Sequence, residues 1–278
     1  MSKTLYISDL DGTLLDSSAA VTEDTRSILN EVILSGGYFS VATARTAANA
    51  VPITSGININ VPVVLMNGVC IYDTVKKEYV KIEKLSEPLL LKMFDVLGKY
   101  HLSGFLFSIN NGVLETFYEN LDSENARRFY EERTRRYGKY FTRVDDFLSC
   151  TDKNAVYYSV TDRYELLRPV CDELRGINGL HIDFYRDVYA QEYWYLEVSS
   201  ADASKYNAVK YIREKYGFDR IVGFGDNLND LPLFEACDEK YAVENAREEV
   251  RKAADGIIPS NNDNGVARKI YELLKKPL

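Results

Sequence analysis

Short apolar runs alternate with amphipathic segments along the first third of the chain. Residues 4–8 (TLYIS), 38–43 (YFSVAT) and 62–66 (PVVLM) are nearly continuous apolar runs, which is typical of strands that are covered on both faces. Between the first two runs, apolar residues recur at helical spacing after Thr22, the predicted N-cap, and the segment stops at a pair of glycines. This alternation predicts parallel βα units and a doubly wound sheet of the α/β class.

The last third of the chain repeats this pattern. A helix is predicted over residues 205–217, with Ser204 as its N-cap and Gly217 at its end. The run RIVGFGDNLND at 220–230 then predicts a buried strand that ends in acidic residues. We therefore expect both ends of the chain to contribute to one core.

The middle of the chain has a different composition, with more tyrosine and more charge. Three of its apolar runs predict strands between helices: FLFSIN, AVYYSV and HIDFYR. This pattern indicates an inserted α+β domain, which we place at residues 84–188, with the core at residues 1–83 and 189–278. The aromatic run EYWYLEV at 192–198 is accordingly predicted to be the strand that re-enters the core.

Composition narrows the classes of function that are open to the chain. With 278 residues, 46% of them hydrophobic, it is long enough for two domains. The net charge of −8 argues against a surface for nucleic acid or anionic membranes, so we expect small solutes as partners. No apolar run reaches the roughly 18 residues that span a bilayer, and the N-terminus lacks a signal-peptide layout, which predicts a cytoplasmic protein. The four cysteines lack metal-ligand spacing and are expected to be reduced thiols.

The run YISDLDGTLLD places Asp9 and Asp11 two residues apart at the end of the first predicted strand. Residues i and i+2 project to the same face, so both carboxylates should aim beyond the strand before Gly12 turns the chain. In open α/β sheets, ligands bind at this edge. Two adjacent carboxylates repel each other unless a cation or a proton compensates them, and hard oxygen ligands suit Mg²⁺. The alternative is a plain turn, in which Asp11 only caps the following loop.

Other predicted element ends supply complementary groups. Thr43 offers a hydroxyl and local N–H groups for a phosphate oxygen, although a β-branched residue is also ordinary in a strand. Lys205 begins a helix, where the helix dipole disfavours a cation, so a role beside an anion explains it better. Asp226 and Asp230 follow the last predicted strand and add acids for a metal, the alternative being a solvated acidic loop.

Taken in order, DLDGT, the threonine of ATAR, Lys205 and GDNLND resemble the four motifs of the haloacid dehalogenase (HAD) superfamily of phosphatases. The resemblance covers the whole chain. The insertion between the second and third motifs, together with MNGVCIYD at 66–73, is similar to the Cof-type branch with a C2-type cap domain. The resemblance implies a Rossmann-like core, a mobile cap, Mg²⁺ as cofactor and hydrolysis through an aspartyl-phosphate.

The resemblance also implies a role for each matching residue. Asp9 matches the nucleophile, and Asp11 matches the acid/base, whose main-chain carbonyl also faces the metal in the family. Asp226 matches the acidic metal ligand, so Asp9, Asp11 and Asp226 are the implied metal residues. The implied phosphate-binding residues are Thr43, Ala44, Lys205 and Asn229.

Asp230 completes the match as a supporting carboxylate. Two positions depart from the family pattern, because the usual T-G-R is Thr43-Ala44-Arg45 here and the glycine that commonly follows the motif lysine is Tyr206. Alanine still offers its N–H group but lacks the freedom of glycine at positive φ, so the phosphate cradle is less closely matched than the aspartates.

We therefore predict a Mg²⁺-dependent phosphatase of small phosphorylated metabolites. Because a large lid would contact the leaving group and exclude bulky esters, sugar phosphates are the first choice, with nucleotide or pyridoxal phosphates behind them. One alternative is a sugar phosphomutase of the same superfamily, which returns the phosphoryl group to its substrate. Another is a non-enzymatic phospho-aspartate switch, but switch modules carry the acidic pair and the accepting aspartate on separate strands. The sequence does not indicate an oligomeric state.

Overall fold

The first segment of the chain forms the alternating strands and helices that its apolar pattern predicts. The computed structural model describes residues 3–102, 104–187 and 190–275. The elements of the first segment are β1 (Thr4–Ser8), α1 (Glu23–Leu34), β2 (Tyr38–Val41), α2 (Ala47–Ile53), β3 (Val63–Leu65), β4 (Cys70–Asp73) and β5 (Glu78–Ile82), with single turns at Leu10–Leu14 and Met66–Gly68. Thr22 caps α1 as predicted, because its hydroxyl accepts a hydrogen bond from Thr25 N at 3.1 Å.

The inserted segment alternates antiparallel strands with three helices among its described residues. Its elements are α3 (Glu87–Lys99), β6 (Phe105–Asn110), β7 (Val113–Tyr118), α4 (Glu124–Tyr137), β8 (Thr142–Arg143), a single turn at Phe147–Cys150, β9 (Ala155–Arg163), α5 (Tyr164–Arg175), β10 (Leu180–Arg186) and β11 (Tyr193–Ser200). Ser123 caps α4 by accepting a hydrogen bond from Ala126 N, and Gly138 ends the helix in a left-handed conformation.

The returning segment resumes the alternation of helix and strand. Its elements are α6 (Lys205–Tyr216), β12 (Arg220–Gly225), α7 (Leu231–Ala236), β13 (Glu239–Val243), α8 (Glu248–Ala253), β14 (Gly256–Ile258) and α9 (Gly265–Lys275), with single turns at Leu228–Asp230 and Asn261–Asp263. As predicted, Ser204 caps α6 by accepting from Asn207 N at 3.0 Å, and Gly217 ends it at φ +67°. None of the described helices is long and apolar enough to cross a membrane.

Two compact units result, one made of the residues through Ile82 and from Ala203 onward, the other of Glu83–Asp202. The first unit is built on a five-stranded sheet in the order β14-β13-β12-β1-β2, in which every pair is parallel. β1 lies between β12 and β2, and its residues Leu5 and Ile7 are fully buried. A parallel sheet covered on both faces needs such continuous apolar strands, so the predicted α/β core is confirmed.

The third predicted core strand joins this sheet at its margin. Val64 in β3 forms one parallel bridge with Ala42, the residue that follows β2. On its other side, β3 pairs antiparallel with β4, which pairs with β5 to complete a second, three-stranded sheet. Thr43 N donates to Val64 O at 3.0 Å. The residues just beyond β2 are therefore tied to β3, which fixes the loop that carries Thr43.

The second unit is a six-stranded sheet in the order β10-β11-β9-β6-β7-β8. All of its pairs are antiparallel except that of β7 with β8. Helices α3 and α5 bury apolar residues in one cluster with side chains of the sheet, among them Leu106, Tyr158 and Leu196. Because both helices pack on a largely antiparallel sheet, the inserted unit is α+β, as predicted.

The assignment of residues 192–198 to the core was wrong. β11 pairs with β9 on one side and β10 on the other, so this segment belongs to the second unit. Its aromatic alternation indicates a strand but not the sheet that the strand joins, which depends on distant partners such as Phe184, whose ring lies 4.8 Å from that of Trp194. The boundary that we predicted between residues 188 and 189 lies outside the described residues.

Candidate active site

Asp9 is the first residue after β1, and its main chain extends the pairing of that strand, because Asp9 N donates to Phe224 O in β12 at 3.0 Å. Asp9 is only 5% exposed. The chain then turns sharply within Leu10–Leu14, where Gly12 has φ +78°. A Cβ atom at Gly12 would lie 2.6 Å from Asp226 Oδ2. Glycine is therefore required both for the backbone conformation and for the close approach of the two loops.

Lys205, the first residue of α6, joins two acidic loops. Its Nζ donates to Asp9 Oδ1 at 2.7 Å and to Asp230 Oδ1 at 2.6 Å, and all three side chains are buried. Burial alone would lower the pKa of Lys205, but the two carboxylates outweigh burial and raise this pKa above its usual value. Lys205 is therefore a fixed positive charge, and its two partners explain its place at the start of a helix.

The carboxyl group of Asp9 lies in a strongly anionic environment. Burial, followed by the charge of Asp230, raises the pKa of Asp9 well above its usual range, while Lys205 acts in the opposite direction. Lys205 occupies only Oδ1, and no residue in the described part of the chain donates to Asp9 Oδ2. One oxygen of Asp9 is therefore held by the lysine and the other is open to a ligand.

Asp230 organises the loop after β12. Its Oδ2 accepts hydrogen bonds from Asp226 N at 2.9 Å and from Asn227 N at 3.0 Å, while its Oδ1 accepts from Lys205. A Cβ atom at Gly225 would lie 2.6 Å from the Cβ atom of Asp230, so only glycine allows the loop to fold this tightly. Both oxygens of Asp230 are thus engaged with protein groups, as expected of a supporting carboxylate.

Asp226 lies at the end of β12, beside the turn that follows β1. Its Oδ1 accepts a hydrogen bond from Thr13 Oγ1 at 2.8 Å. Burial raises the pKa of Asp226 to about 6, and the charge of Asp230 acts in the same direction, whereas the Thr13 hydrogen bond opposes it. The Thr13 hydrogen bond therefore orients the Asp226 carboxylate, which lies close to the negative charge of Asp230.

Asp9, Asp226 and Asp230 each offer a carboxylate oxygen, and these oxygens lie within 4.8 Å of one another. Lys205 forms ion pairs with two of these acids, Asp9 and Asp230. Because Asp230 is already saturated by its protein partners, Asp9 and Asp226 are the carboxylates with capacity for a cation. Hard carboxylate oxygens of this kind fit a divalent cation such as Mg²⁺.

The side chain of Asp11 does not join this cluster. It accepts two hydrogen bonds from Arg45, from Nε at 2.7 Å and from Nη2 at 2.6 Å. The carboxylate is 53% exposed, in contrast to that of Asp9. The Asp11 side chain is therefore paired with Arg45 and not with Asp9, Asp226 or Asp230. Its main-chain carbonyl remains for the metal contact that the family resemblance implies.

The predicted phosphate-binding residues lie on three separate segments: the loop after β2, the start of α6 and the turn after β12. Thr43 is 1% exposed, and its Oγ1 accepts from Arg45 N at 3.2 Å. Ala44 is exposed and does not adopt a positive φ, so alanine in place of glycine introduces no strain, and its N–H donates to no residue that the structure describes. Asn229 is exposed and its Nδ2 donates to Asn67 Oδ1 at 3.1 Å. Tyr206 lies in the first turn of α6 with helical backbone, which glycine is not needed to form.

Four residues at the site were not predicted from the sequence: Thr13, Arg45, Asn67 and Asn245. Thr13 lies within DLDGT and Arg45 within ATAR, so the hydrogen-bonding capacity of their side chains is a signal within these motifs. The Asn-Gly pair at 67–68 is a typical turn signal. Asn245, whose Nδ2 donates to Gly12 O at 2.8 Å, follows a later strand and carried no sequence signal.

The parallel sheet carries Asp9 directly after its inner strand β1 and two acids after the neighbouring strand β12, and a buried lysine binds Asp9. This arrangement defines the class of HAD-type hydrolases. A family model described as haloacid dehalogenase-like hydrolase matches residues 6–270, and the chain belongs to this family. It is an enzyme of the HAD phosphatase type, in the Cof-type branch.

Characterised relatives resemble the chain over nearly its whole length. The pyridoxal phosphate phosphatase YbhA of Escherichia coli is 23% identical over 273 residues, which cover 96% of this chain and 97% of the relative. The 5-amino-6-(5-phospho-D-ribitylamino)uracil phosphatase YcsE of Bacillus subtilis is 23% identical, covering 94% and 92% of the two chains. A haloacid dehalogenase-like hydrolase from Bacteroides thetaiotaomicron has a similar fold, with a TM-score of 0.77 and 24% identity over 97% of this chain and 99% of the other.

Proposed function

We propose that the protein is a Mg²⁺-dependent phosphatase that hydrolyses small phosphorylated metabolites through an aspartyl-phosphate on Asp9. The observation that carries this proposal is the buried Asp9–Lys205–Asp230 chain with Asp226 beside it. Such a site combines an anionic nucleophile with positive charge that can receive a dianionic phosphate.

Asp9 and Asp226 would hold the metal with their carboxylates, and the main-chain carbonyl of Asp11 would complete the protein ligands. The donor set fits because all of these ligands are hard oxygens and because the carboxylates outnumber the lysine. When bound, Mg²⁺ supplies charge neutralisation that lets two anions, carboxylate and phosphate, approach each other. Thr13 keeps Asp226 oriented, and Asp230 keeps the loop closed around the site.

The first half-reaction requires one bond to form and one to break at phosphorus. Asp9 attacks the phosphate, and the ester bond to the leaving alkoxide breaks. Asp11, released from Arg45 and entering the step as the neutral acid, gives its proton to that alkoxide. In the second half-reaction Asp11 takes a proton from water, and the water oxygen attacks the phosphorus of the aspartyl-phosphate, which releases inorganic phosphate and regenerates Asp9. In both half-reactions the positive charge of Lys205 offsets the negative charge on the phosphate oxygens. The Thr43 hydroxyl and the Ala44 N–H donate hydrogen bonds to these oxygens.

Sugar phosphates are our first choice of substrate, and the inserted unit is proposed to select the leaving group. The core residues named above would contact only the phosphate, which is common to all candidate esters. The names of the two characterised relatives add pyridoxal phosphate and a phosphorylated ribitylamino-uracil to the panel of candidates.

Phosphate release from a panel of sugar, nucleotide and pyridoxal phosphates, measured with and without Mg²⁺, tests the proposal. We expect stoichiometric free phosphate from at least one ester, and no release from the Asp9→Asn variant prepared in parallel. Conversion of a sugar phosphate to its isomer without phosphate release would instead identify a phosphomutase. Stable phosphorylation of Asp9 without turnover would identify a phospho-aspartate switch.

A further inference from the structure

The turn Met66–Asn67–Gly68, which follows β3, adopts an unusual backbone conformation. Met66, Asn67 and Gly68 have φ values of +51°, +54° and +103° in succession. Positive φ is uncommon outside glycine, tolerable for asparagine and strained for a longer side chain such as methionine. Strain of this kind persists only where the surroundings enforce it, and it concentrates at functional sites.

The surroundings of this turn are the loops that carry the proposed phosphate-binding residues. Met66 N donates to Arg45 O at 3.1 Å, and Asn67 N donates to Thr43 O at 3.0 Å. These two hydrogen bonds fasten the turn to the loop after β2. Since Thr43 N also donates to Val64 O in β3, three main-chain hydrogen bonds link the Thr43 loop to β3 and to the turn that follows it.

Two further contacts connect the same turn to the other phosphate-binding residues. A Cβ atom at Gly68 would lie 2.2 Å from the carbonyl carbon and oxygen of Ser204, the residue before Lys205. The side chain of Asn67 accepts a hydrogen bond from Asn229 Nδ2 at 3.1 Å. One three-residue turn therefore meets the loops of Thr43, Lys205 and Asn229.

We propose that Asn67 is a positioning residue for the bound phosphate, which it serves by orienting the amide of Asn229; this inference rests on the function proposed above. An exposed asparagine can present either its carbonyl or its NH₂ group to a ligand. With Asn67 Oδ1 holding one hydrogen of Asn229 Nδ2, the NH₂ group is fixed in place and its second hydrogen is left to donate. Without Asn67, a rotated amide would present its carbonyl oxygen to the phosphate anion and repel it.

The backbone and the side chain of Asn67 can be tested separately. Asn67→Gly keeps a residue that tolerates positive φ and removes the amide acceptor, so the turn should remain while the orientation of Asn229 is lost. Asn67→Ala removes the acceptor and also strains the turn, so it should be less stable than Asn67→Gly. Asn67→Asp keeps both the left-handed preference and an acceptor oxygen, at the cost of a negative charge.

A double-mutant cycle on Asn67→Gly and Asn229→Ala is the decisive experiment. The quantity measured is the dissociation constant of inorganic phosphate by calorimetry in the presence of Mg²⁺, which requires no knowledge of the substrate. In the parent chain, we expect Asn67→Gly to weaken phosphate binding roughly tenfold, because a hydrogen bond to a charged group is lost. In a chain that already carries Asn229→Ala, the same substitution should weaken binding less than about twofold. Equal effects in both backgrounds would overturn the inference, because Asn67 would then act without Asn229.

Asn67→Asp provides a second test should the glycine variant fail to fold. At high salt, where the added charge is screened, this variant should bind phosphate better than Asn67→Ala because Asn229 stays oriented. Equal weakening in the two variants would show that the acceptor oxygen is unimportant. If the parent protein binds phosphate and hydrolyses esters but the effects of the two substitutions are additive, only this inference is refuted. If the parent protein neither binds phosphate nor hydrolyses esters, the proposed function itself is refuted.

Discussion

Arg45 holds Asp11 by a two-point ion pair, with Nε on Oδ2 at 2.7 Å and Nη2 on Oδ1 at 2.6 Å. The Asp11 side chain is half exposed, so little else restricts its rotamer. The planar fork of arginine fixes both the position and the rotation of a carboxylate, which the ammonium group of lysine cannot do. Because both oxygens of Asp11 accept hydrogen bonds from Arg45, one of them must be released before Asp11 can carry the proton of a general acid.

The first prediction concerns this pair. Asp11→Asn should lower kcat by roughly 10²- to 10⁴-fold, because the amide cannot exchange a proton with the leaving group or with water. Arg45→Lys should lower kcat less, by at most about 10²-fold, because the carboxylate remains but is held less accurately. Steady-state kinetics on the best ester of the panel measures both. A loss below about tenfold for Asp11→Asn would deny that residue the acid/base role.

Asp9→Asn should abolish turnover without unfolding the protein. The amide is nearly the same size as the carboxylate but cannot form the acyl-phosphate. Lys205 keeps its second partner, Asp230, so the buried cation is not left alone. Phosphate release and thermal unfolding of the purified variant check the two halves of this prediction, and a well-folded variant with near-parental turnover would exclude the covalent mechanism.

Removal of the metal should stop hydrolysis. EDTA treatment is expected to abolish phosphate release, and added Mg²⁺ to restore it. Asp226→Ala should raise the Mg²⁺ concentration needed for half-maximal activity, because one anionic oxygen ligand is lost. Glu235→Ala on the nearby helix α7 serves as a control for loss of an acid outside the cluster. Unchanged hydrolysis after complete metal removal would contradict the proposed site.

Lys205→Met should destabilise the protein strongly. The change leaves Asp9 and Asp230 facing each other in a buried site with no cation between them, and loss of one partner of a buried ion pair costs roughly 3–5 kcal/mol. Urea denaturation without Mg²⁺ gives the free energy of unfolding. Lys210→Met, on the same helix, controls for the change of residue type.

A second substitution identifies the cause of that destabilisation. The double variant Lys205→Met, Asp230→Asn removes one of the two opposing carboxylates and should recover part of the lost free energy of unfolding. If the double variant were less stable than Lys205→Met alone, repulsion between the carboxylates would not be the source of the destabilisation.

Local patterns predicted the core and the principal acids well. The apolar runs at β1 and β12 indicated buried strands, and acids at the ends of parallel strands must meet at one edge of the sheet. The caps of α1 and α6 were likewise readable, because a cap depends on residues that are neighbours in sequence. The caps follow from residues that are neighbours in sequence, and the meeting of the acids follows from the shared direction of parallel strands.

Features that depend on distant partners were not predicted. The aromatic alternation of β11 identified a strand, but its sheet is decided by pairing with β9 and β10. Similarly, the spacing of Asp9 and Asp11 suggested that both carboxylates would face one ligand, whereas Arg45, which is 34 residues away from Asp11, takes the second one. Hydrogen-bond partners across loops follow from the tertiary fold, which local periodicity does not encode.

The place of β11 leads to a prediction about how the chain can be cut. Deletion of Glu83–Asp202, with a short Gly/Ser bridge from Ile82 to Ala203, removes the second unit whole and should leave a folded parallel core. Deletion of residues 84–188 instead leaves β11 without β9 and β10, and so exposes unpaired backbone groups on both of its edges. Gel filtration and circular dichroism should show a monodisperse, folded product only for the first deletion.

The folded core is then expected to lose selectivity among phosphate esters more than it loses phosphate chemistry. Every proposed catalytic, metal and phosphate-binding residue lies in the first unit, so the core should still bind phosphate and Mg²⁺. The absolute rate should fall, because a core without the inserted unit excludes water less and orients the ester less well. The informative measurement is the ratio of kcat/KM values across several esters, in the deletion variant and in the intact chain. If the core kept the substrate ranking and ratios of the intact protein, specificity would lie in the core loops, and the inserted unit would not be the specificity domain that we propose.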